Sequence, residues 1–232
     1  MVNIFVGYDT REPVAYSVFC QSVLENASIP VSFTPLALNT LKDYKETHTD
    51  GSNEFIYSRF LVPHLMNYKG IAIFADGDMS CMGDVKELYD LAFNNPDKAV
   101  FVVKHDYNTK HPIKYLGQKN EDYPRKNWSS VIVFNCGHWL NGKLTPELVM
   151  ESTGSYLHRF SWLEDRFIGD LPVEWNWLET EYVYNRDAKL IHHTLGTPCF
   201  KDYQYSPYSY EWWNTYQRMI YPLTGDNKIS NL

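Results

Sequence analysis

The stretch "IAIFADGDMS", residues 71–80, is an apolar run that ends in two aspartates one residue apart. The run is apolar at consecutive positions, the pattern of a strand covered on both faces of a sheet. Asp76 and Asp78 then close a strand either as a solvated turn or as two oxygen ligands for one cation. Before this stretch, "VNIFVGY" (2–8) reads as a first buried strand. Pro13 suits a first helical turn, and helical periodicity runs to about Ala27. "VSFTPLAL" reads as a second strand. "KDYKETHTDGSNE" is a charged loop, and "FIYSRFLVPHLMNY" a helix bent near Pro63. After the opening stretch come an amphipathic helix, "DVKELYDLAF", with Asp84 as its N-cap, and the strand "KAVFVVKHDY".

The order up to Tyr107 is therefore β-α-β-α-β-α-β, which predicts a parallel sheet flanked by helices. Such sheets bind ligands at the carboxyl ends of their strands. Asp9, the Asp76/Asp78 pair and Asp106 all fall at predicted strand ends. Beyond residue 107 the alternation stops. "WSSVIVFNCGHW" reads as a strand ending at Asn135, "LTPELVMES" as a helix, and "LHRFSWLEDRFIG" as helical. "LPVEWNWL" and "AKLIHHTLG" read as short extended segments, and an aromatic tail carries a helix from about Tyr210. The expected organisation is one domain over 1–232: a nucleotide-binding half (1–107), an acceptor and sugar half (108–200) and an aromatic C-terminal tail (201–232).

The 232 residues suit one domain with a substantial core. A net charge of −7 and the lack of any basic run argue against a nucleic-acid partner. Aromatic residues reach 16 %, with 18 tyrosines and 7 tryptophans, enough to line a pocket for ring-shaped ligands as well as fill a core. Cys20, Cys81, Cys136 and Cys199 form no CxxC pair, which argues against a zinc knuckle and favours a reducing, cytoplasmic setting. No leader and no apolar run of the ~20 residues needed to cross a bilayer is read. The aromatic tail is expected to dock on the domain, with a homodimer contact or peripheral membrane contact as the alternatives.

The pair His192-His193 follows the apolar "AKLI" and precedes "TLGTP". A histidine there is either a satisfied core residue or a metal ligand. The backbone of Gly196 can approach a phosphate closely.

These segments together resemble a known family. "FADGDMSCMGDVKELYDL", "FNCGHW", "LEDRFIGDLP" and "HTLG" resemble, in order and spacing, the Asp-x-Asp, Asn-Ser-Gly, Asp-Gln and His-x-x-Gly segments of the glycogenin-like glycosyltransferases, family 8. "YPRKNWSS", "WLED" and "H-TLG-P" further resemble small bacterial sugar transferases, and the likeness spans about residues 2–203. The resemblance implies an α/β fold of GT-A type, a single Rossmann-like domain with a mostly parallel central sheet flanked by helices. It implies a metal-dependent hexosyltransferase that retains anomeric configuration. Asp76, Asp78 and His193 would hold Mn²⁺ or Mg²⁺. Gly7, Tyr8 and Asp9 would line the base and ribose pocket, with Asp76, Gly196 and Lys201 completing the nucleotide site. Arg59 would reach the donor's phosphate or sugar, and Asp106, Asn135 and Asp165 would bind the sugar. The donor is a nucleotide sugar, with UDP-glucose or UDP-galactose favoured, and the acceptor is an undetermined sugar, lipid or protein. Cys199 stands where the family has a phosphate-contacting lysine, and Arg166 where it has glutamine. The rival readings are a non-catalytic nucleotide-sugar or carbohydrate-binding protein and a nucleotidyltransferase. "GYDTREP" matches the glycine-rich loop of the latter poorly.

Overall fold

The computed structural model describes residues 1–114 and 117–221. Strand β1 (Val2–Gly7) pairs in parallel with β2 (Val31–Leu36) on one side and β3 (Ile71–Ala75) on the other. Helix α1 (Pro13–Asn26) makes the first crossover, and the short α2 (Val62–Leu65) follows a 3-10 turn at Ser58–Leu61. Pro63 stands in the first turn of α2, so "FIYSRFLVPHLMNY" is a 3-10 turn followed by one short helix rather than one bent helix. After β3 come β4 (Met79–Cys81), α3 (Lys86–Phe93) and β5 (Val100–Val102). Asp84 lies just outside α3, where its Oδ1 accepts the Lys86 N–H at 3.0 Å.

A small hairpin, β6 (Ile113–Lys114) with β7 (Gln118–Lys119), leads to β8 (Val131–Asn135). Then follow α4 (Pro146–Glu151), α5 (Gly154–His158), β9 (Ile168–Asp170), β10 (Trp177–Leu178), β11 (Leu190–His192) and α6 (Ser209–Ile220). The main sheet runs β2-β1-β3-β8-β5-β9, parallel except for β8, which is antiparallel to both neighbours. A second sheet runs β10-β11-β4.

β3 is buried along Ala72–Ala75 because side chains alternate into two cores. Ala72 and Phe74 face a core with Phe60, Phe134 and Trp162, while Ile73 and Ala75 face one with Phe19, Val133 and Leu190. Burial on both faces is why this strand carries no polar residue until Asp76.

One sequence expectation fails in the back half. "LHRFSWLEDRFIG" is not a continuous helix. Phe160 adopts a left-handed φ of 57°, ending the helical path after α5. Ile168–Asp170 then extend and pair with β5, with Gly169 packed so closely on Phe101 that an added Cβ would lie 2.3 Å from its ring. Helical periodicity was overridden by a strand-pairing opportunity that exists only in the folded sheet. The tail docks as expected through residue 221: α6 packs on α1, and Arg218 forms two bonds to Glu25, at 2.9 and 2.6 Å. Residues 222–232 of the expected tail lie outside the described residues. No helix among the described residues is long and apolar enough to cross a membrane.

Gly77 shows how tightly the Asp-x-Asp turn sits on the sheet. A Cβ there would lie 2.3 Å from the backbone oxygen of Gly7, which β1 holds in register. Gly77→Ala should therefore cost roughly 2–3 kcal/mol in denaturant unfolding, since backbone rather than a side chain must yield. A change within 0.5 kcal/mol would mean the turn is looser than described.

Candidate metal centre and adjoining cavities

Asp76 and Asp78 leave the carboxyl end of β3, where the backbone N–H of Asp76 bonds to Ser130 O at 2.9 Å. β4 begins immediately after Asp78 and pairs antiparallel with β11, setting His192 opposite Met79. The chain's far end is thereby brought beside the turn. Ligand atoms of Asp76, Asp78 and His192 all lie within 4.8 Å of one another. His192 Nε2 is 3.5 Å from Asp78 Oδ1 and 3.9 Å from Asp76 Oδ2.

The expected ligand was His193, and the structure puts its neighbour in that place. Successive side chains of an extended segment point to opposite faces. With His192 toward the aspartates, His193 turns away and is fully buried. Its Nδ1 is 2.9 Å from Glu179 Oε2 and its Nε2 3.0 Å from Ser80 Oγ, so both ring nitrogens are engaged by protein. His193 touches the turn through its backbone, donating N–H to Asp78 O at 3.0 Å.

A supporting shell fixes His192. Asn176, fully buried, donates its Nδ2 to Asn127 O (3.0 Å) and Ser130 Oγ (2.8 Å). That leaves its Oδ1 to accept from His192 Nδ1 at 3.2 Å. With a cation in place, that bond keeps the ring proton on Nδ1 and leaves the Nε2 lone pair for the ion, the arrangement metal-binding histidines use. The residues fit a divalent cation. Asp78 Oδ1 is buried and receives no hydrogen bond from the described residues, a cost that a bound ion would remove, while Asp76 Oδ1 meets Arg59.

Arg59 is 3 % exposed, so it is no surface residue. Its Nη1 lies 2.8 Å from Asp76 Oδ1 and donates to Ser129 O at 2.9 Å, while Nε donates to Ile56 O. It lines the cavity, yet these contacts commit it to holding Asp76. Burial pushes the Asp76 carboxyl up to about 6, with Arg59 opposing the rise. Burial acts on Asp78 too, but the His192 and His193 rings outweigh it and hold that carboxyl below its usual range.

The cluster opens into a cavity of about 110 Å³ whose walls include Glu12, Lys114, Tyr123 and Glu181. Glu12 was not singled out in the sequence, where it is one polar residue in a turn. It is buried and its Oε2 accepts from Thr197 Oγ1 at 3.2 Å. Burial, then the Asp78 charge, push it up to about 8. A raised carboxyl keeps its proton in the native state while the unfolded chain releases it near 4.5. The stability it contributes is full below about 4.5 and is lost as pH rises toward 8. Glu12→Gln keeps the shape and removes the titration. Urea unfolding should show the variant gaining on wild type from pH 5 to pH 8, by at most about 1.4 kcal/mol per pH unit. A difference that is flat across that range refutes the assignment.

Other expected site residues are placed elsewhere. Asn135 pairs with Ile71, at the start of β3, because β8 is antiparallel. It therefore sits at the opposite end of the sheet from Asp76, where its Nδ2 donates to Pro96 O. The residues just before β8, Ser129 and Ser130, line the cavity instead. Asp165 is exposed and bonded to Arg125 Nη2 at 2.6 Å, and Asp106 is exposed. Neither lines the cavity. Asp9 is buried with Arg11 on both its oxygens and the Glu54 N–H on Oδ2, so its carboxylate is satisfied within the protein. Tyr8 packs edge-on against Tyr16, and Gly7 lies against the Phe55 ring. Gly196, at φ 144°, is a conformation suited to glycine but lines no described cavity. Lys201 is exposed and also outside the cavity.

A second cavity, about 390 Å³, meets the first at Asn53 and Ile56 and carries Glu46, Asp50 and Glu54. A third, about 360 Å³, meets it at Lys114, Tyr123 and His158.

Solved structures share this architecture. The apo glycosyltransferase GlyE of Streptococcus pneumoniae TIGR4 superposes with a TM-score of 0.61 at 12 % identity, over 92 % of this chain and 59 % of GlyE. The chain thus spans less than two thirds of GlyE. The galactosyltransferase LgtC, in complex with donor and acceptor sugar analogs, gives 0.57 at 11 % identity, over 92 % of this chain and 95 % of LgtC. Mouse xyloside xylosyltransferase 1 gives 0.53 at 12 % identity, over 83 % and 97 % of the two chains. The fold is of the GT-A type. No family model matches the sequence. Protein CDI of Arabidopsis thaliana is 43 % identical over 222 residues, covering 91 % of this chain and 85 % of that protein, so the chain belongs to the family of Protein CDI.

Proposed function

We propose that this chain is a metal-dependent glycosyltransferase that moves a hexose from a nucleoside diphosphate sugar to an acceptor hydroxyl. The observation that carries the reading is the convergence of Asp76, Asp78 and His192 at the carboxyl end of β3, with Asp78 Oδ1 buried and unbonded, in a GT-A fold. Two carboxylates and one imidazole suit Mn²⁺ better than Mg²⁺, which prefers oxygen alone. When bound, the cation supplies charge stabilisation for a departing diphosphate.

The chain's own residues do the rest. Arg59 holds Asp76 in place, and Asn176 holds the His192 ring. The β6–β7 hairpin and Tyr123 wall the cavity, limiting the water that would otherwise hydrolyse the donor. Transfer breaks the bond from the anomeric carbon to the diphosphate oxygen and forms one to the acceptor oxygen, whose proton goes to the departing diphosphate. The acidic second cavity offers hydrogen-bond acceptors for ribose hydroxyls. UDP-glucose or UDP-galactose is the favoured donor, and retention is the favoured outcome.

A panel of nucleotide sugars with Mn²⁺, read by thermal shift and nucleotide release, tests the reading. At least one donor should bind only with metal and release its nucleotide faster with acceptor present. Metal-dependent binding with no release under any acceptor supports a non-catalytic binder instead. No metal-dependent binding ends both.

A further inference from the structure

The third cavity, which adjoins the acidic one at Gly51 and Ile56, carries Lys114, Lys119 and Arg159, and no acidic residue among its described lining. The chain as a whole has 28 acidic and 21 basic residues, so a wall with three cations and no carboxylate runs against its composition. These cations are also weakly spent. Lys114 Nζ bonds the Ser52 hydroxyl at 3.1 Å and has no carboxylate within 4 Å among the described residues. Lys119 meets only Glu121, at 3.8 Å and in solvent. Arg159 is exposed and forms no ion pair among the described residues.

Where the cavity meets the metal centre, it presents groups suited to a sugar. Tyr123 is 47 % exposed and offers a ring face on which a pyranose can pack. His158 Nε2 is buried with no hydrogen-bond partner, while its Nδ1 is held by Ser129 Oγ at 2.6 Å. An unpartnered ring nitrogen at the junction of two cavities is a ready partner for a hydroxyl arriving at the metal centre.

We propose that this cavity is the acceptor site, and that the acceptor carries an anionic group, a phosphate or a carboxylate, held by Lys114, Lys119 and Arg159. The proposal rests on the glycosyl-transfer reading and adds the acceptor's chemical class to it. The acidic cavity takes the nucleoside, and the basic cavity takes the anion of the acceptor. The reacting hydroxyl lies beside Tyr123 and His158, which line both the metal-centre cavity and the basic one.

Calorimetry on the full chain loaded with Mn²⁺ and UDP tests it, with glucose, glucose 6-phosphate and glucuronate as probes. One anionic sugar or both should bind at least tenfold tighter than glucose, and the stronger identifies phosphate or carboxylate. Arg159→Glu, and independently Lys114→Gln, should erase at least tenfold of that preference while circular dichroism reports an intact fold. Equal binding of all three sugars overturns the proposal. So does a variant that weakens Mn²⁺–UDP binding while leaving the anion preference intact, since the cations then serve the donor's diphosphate. Failure of wild type to bind UDP with Mn²⁺ removes the transfer reading itself, and is thus distinct from a failed acceptor preference.

Discussion

His192→Ala should abolish measurable Mn²⁺ binding, and His193→Gln should leave it within about threefold of wild type. The two histidines are adjacent, yet only the first presents a ring nitrogen to Asp76 and Asp78. Losing one of three protein ligands should lower metal affinity by about 100-fold or more, equivalent to about 2.7 kcal/mol. Transfer should fall at least as far, because charge on the departing diphosphate then goes unneutralised. Asp78→Asn should behave like His192→Ala. His193→Gln is expected to act on stability instead. Removing an imidazole that both Ser80 and Glu179 engage leaves buried polar groups short of partners, a cost of about 1–3 kcal/mol. Titration with Mn²⁺ and urea unfolding on the same three variants separate the two effects. Loss of metal binding in His193→Gln with retention in His192→Ala would reverse the assignment of the pair.

The second large effect concerns Arg59. Arg59→Met leaves the buried Asp76 carboxylate without its 2.8 Å cationic partner, and breaking such a pair from one side costs about 3–5 kcal/mol. Without Arg59, the Asp76 carboxyl rises further above its present value of about 6, because the largest opposing charge is gone and burial remains. Protonation then relieves the penalty. The sign follows: the native variant binds a proton that the unfolded chain releases near 3.8, so its stability is greatest at low pH and falls as pH rises through the raised value. The loss relative to wild type should therefore be smaller at pH 5 than at pH 8. Arg59→Met with Asp76→Asn should recover part of the loss, since the double change removes the unpaired charge. A single variant that is as stable as wild type at pH 8 would show that Arg59 does not carry Asp76.

The carboxyl end of β3 was legible because local chemistry states it. Four consecutive buried apolar residues followed by two aspartates can be read without knowing any neighbour. The crossover order of the first half was legible for the same reason, and α1 begins at Pro13 as its residue type predicts. The placement of Asn135 was not. Whether the end of β8 lies at the site or opposite it depends on strand direction, which the residues of "VIVFN" do not encode. Arg59 and Asp9 show a related gap. A charged residue near a predicted ligand site reads as a ligand contact, and only the fold reveals that Asp76 and Arg11 already occupy those charges.

The residues in their order specify an α/β chain with an acidic turn at the end of its third strand, and a late histidine pair able to reach it. Only the folded register sets which histidine faces those aspartates. A strand alternates its faces, so one of two neighbours must turn toward the aspartates and the other away. The antiparallel register of β11 on β4, with His192 opposite Met79, makes that choice. A slip of one residue would have delivered His193 instead, with no change in the sequence that either reading begins from.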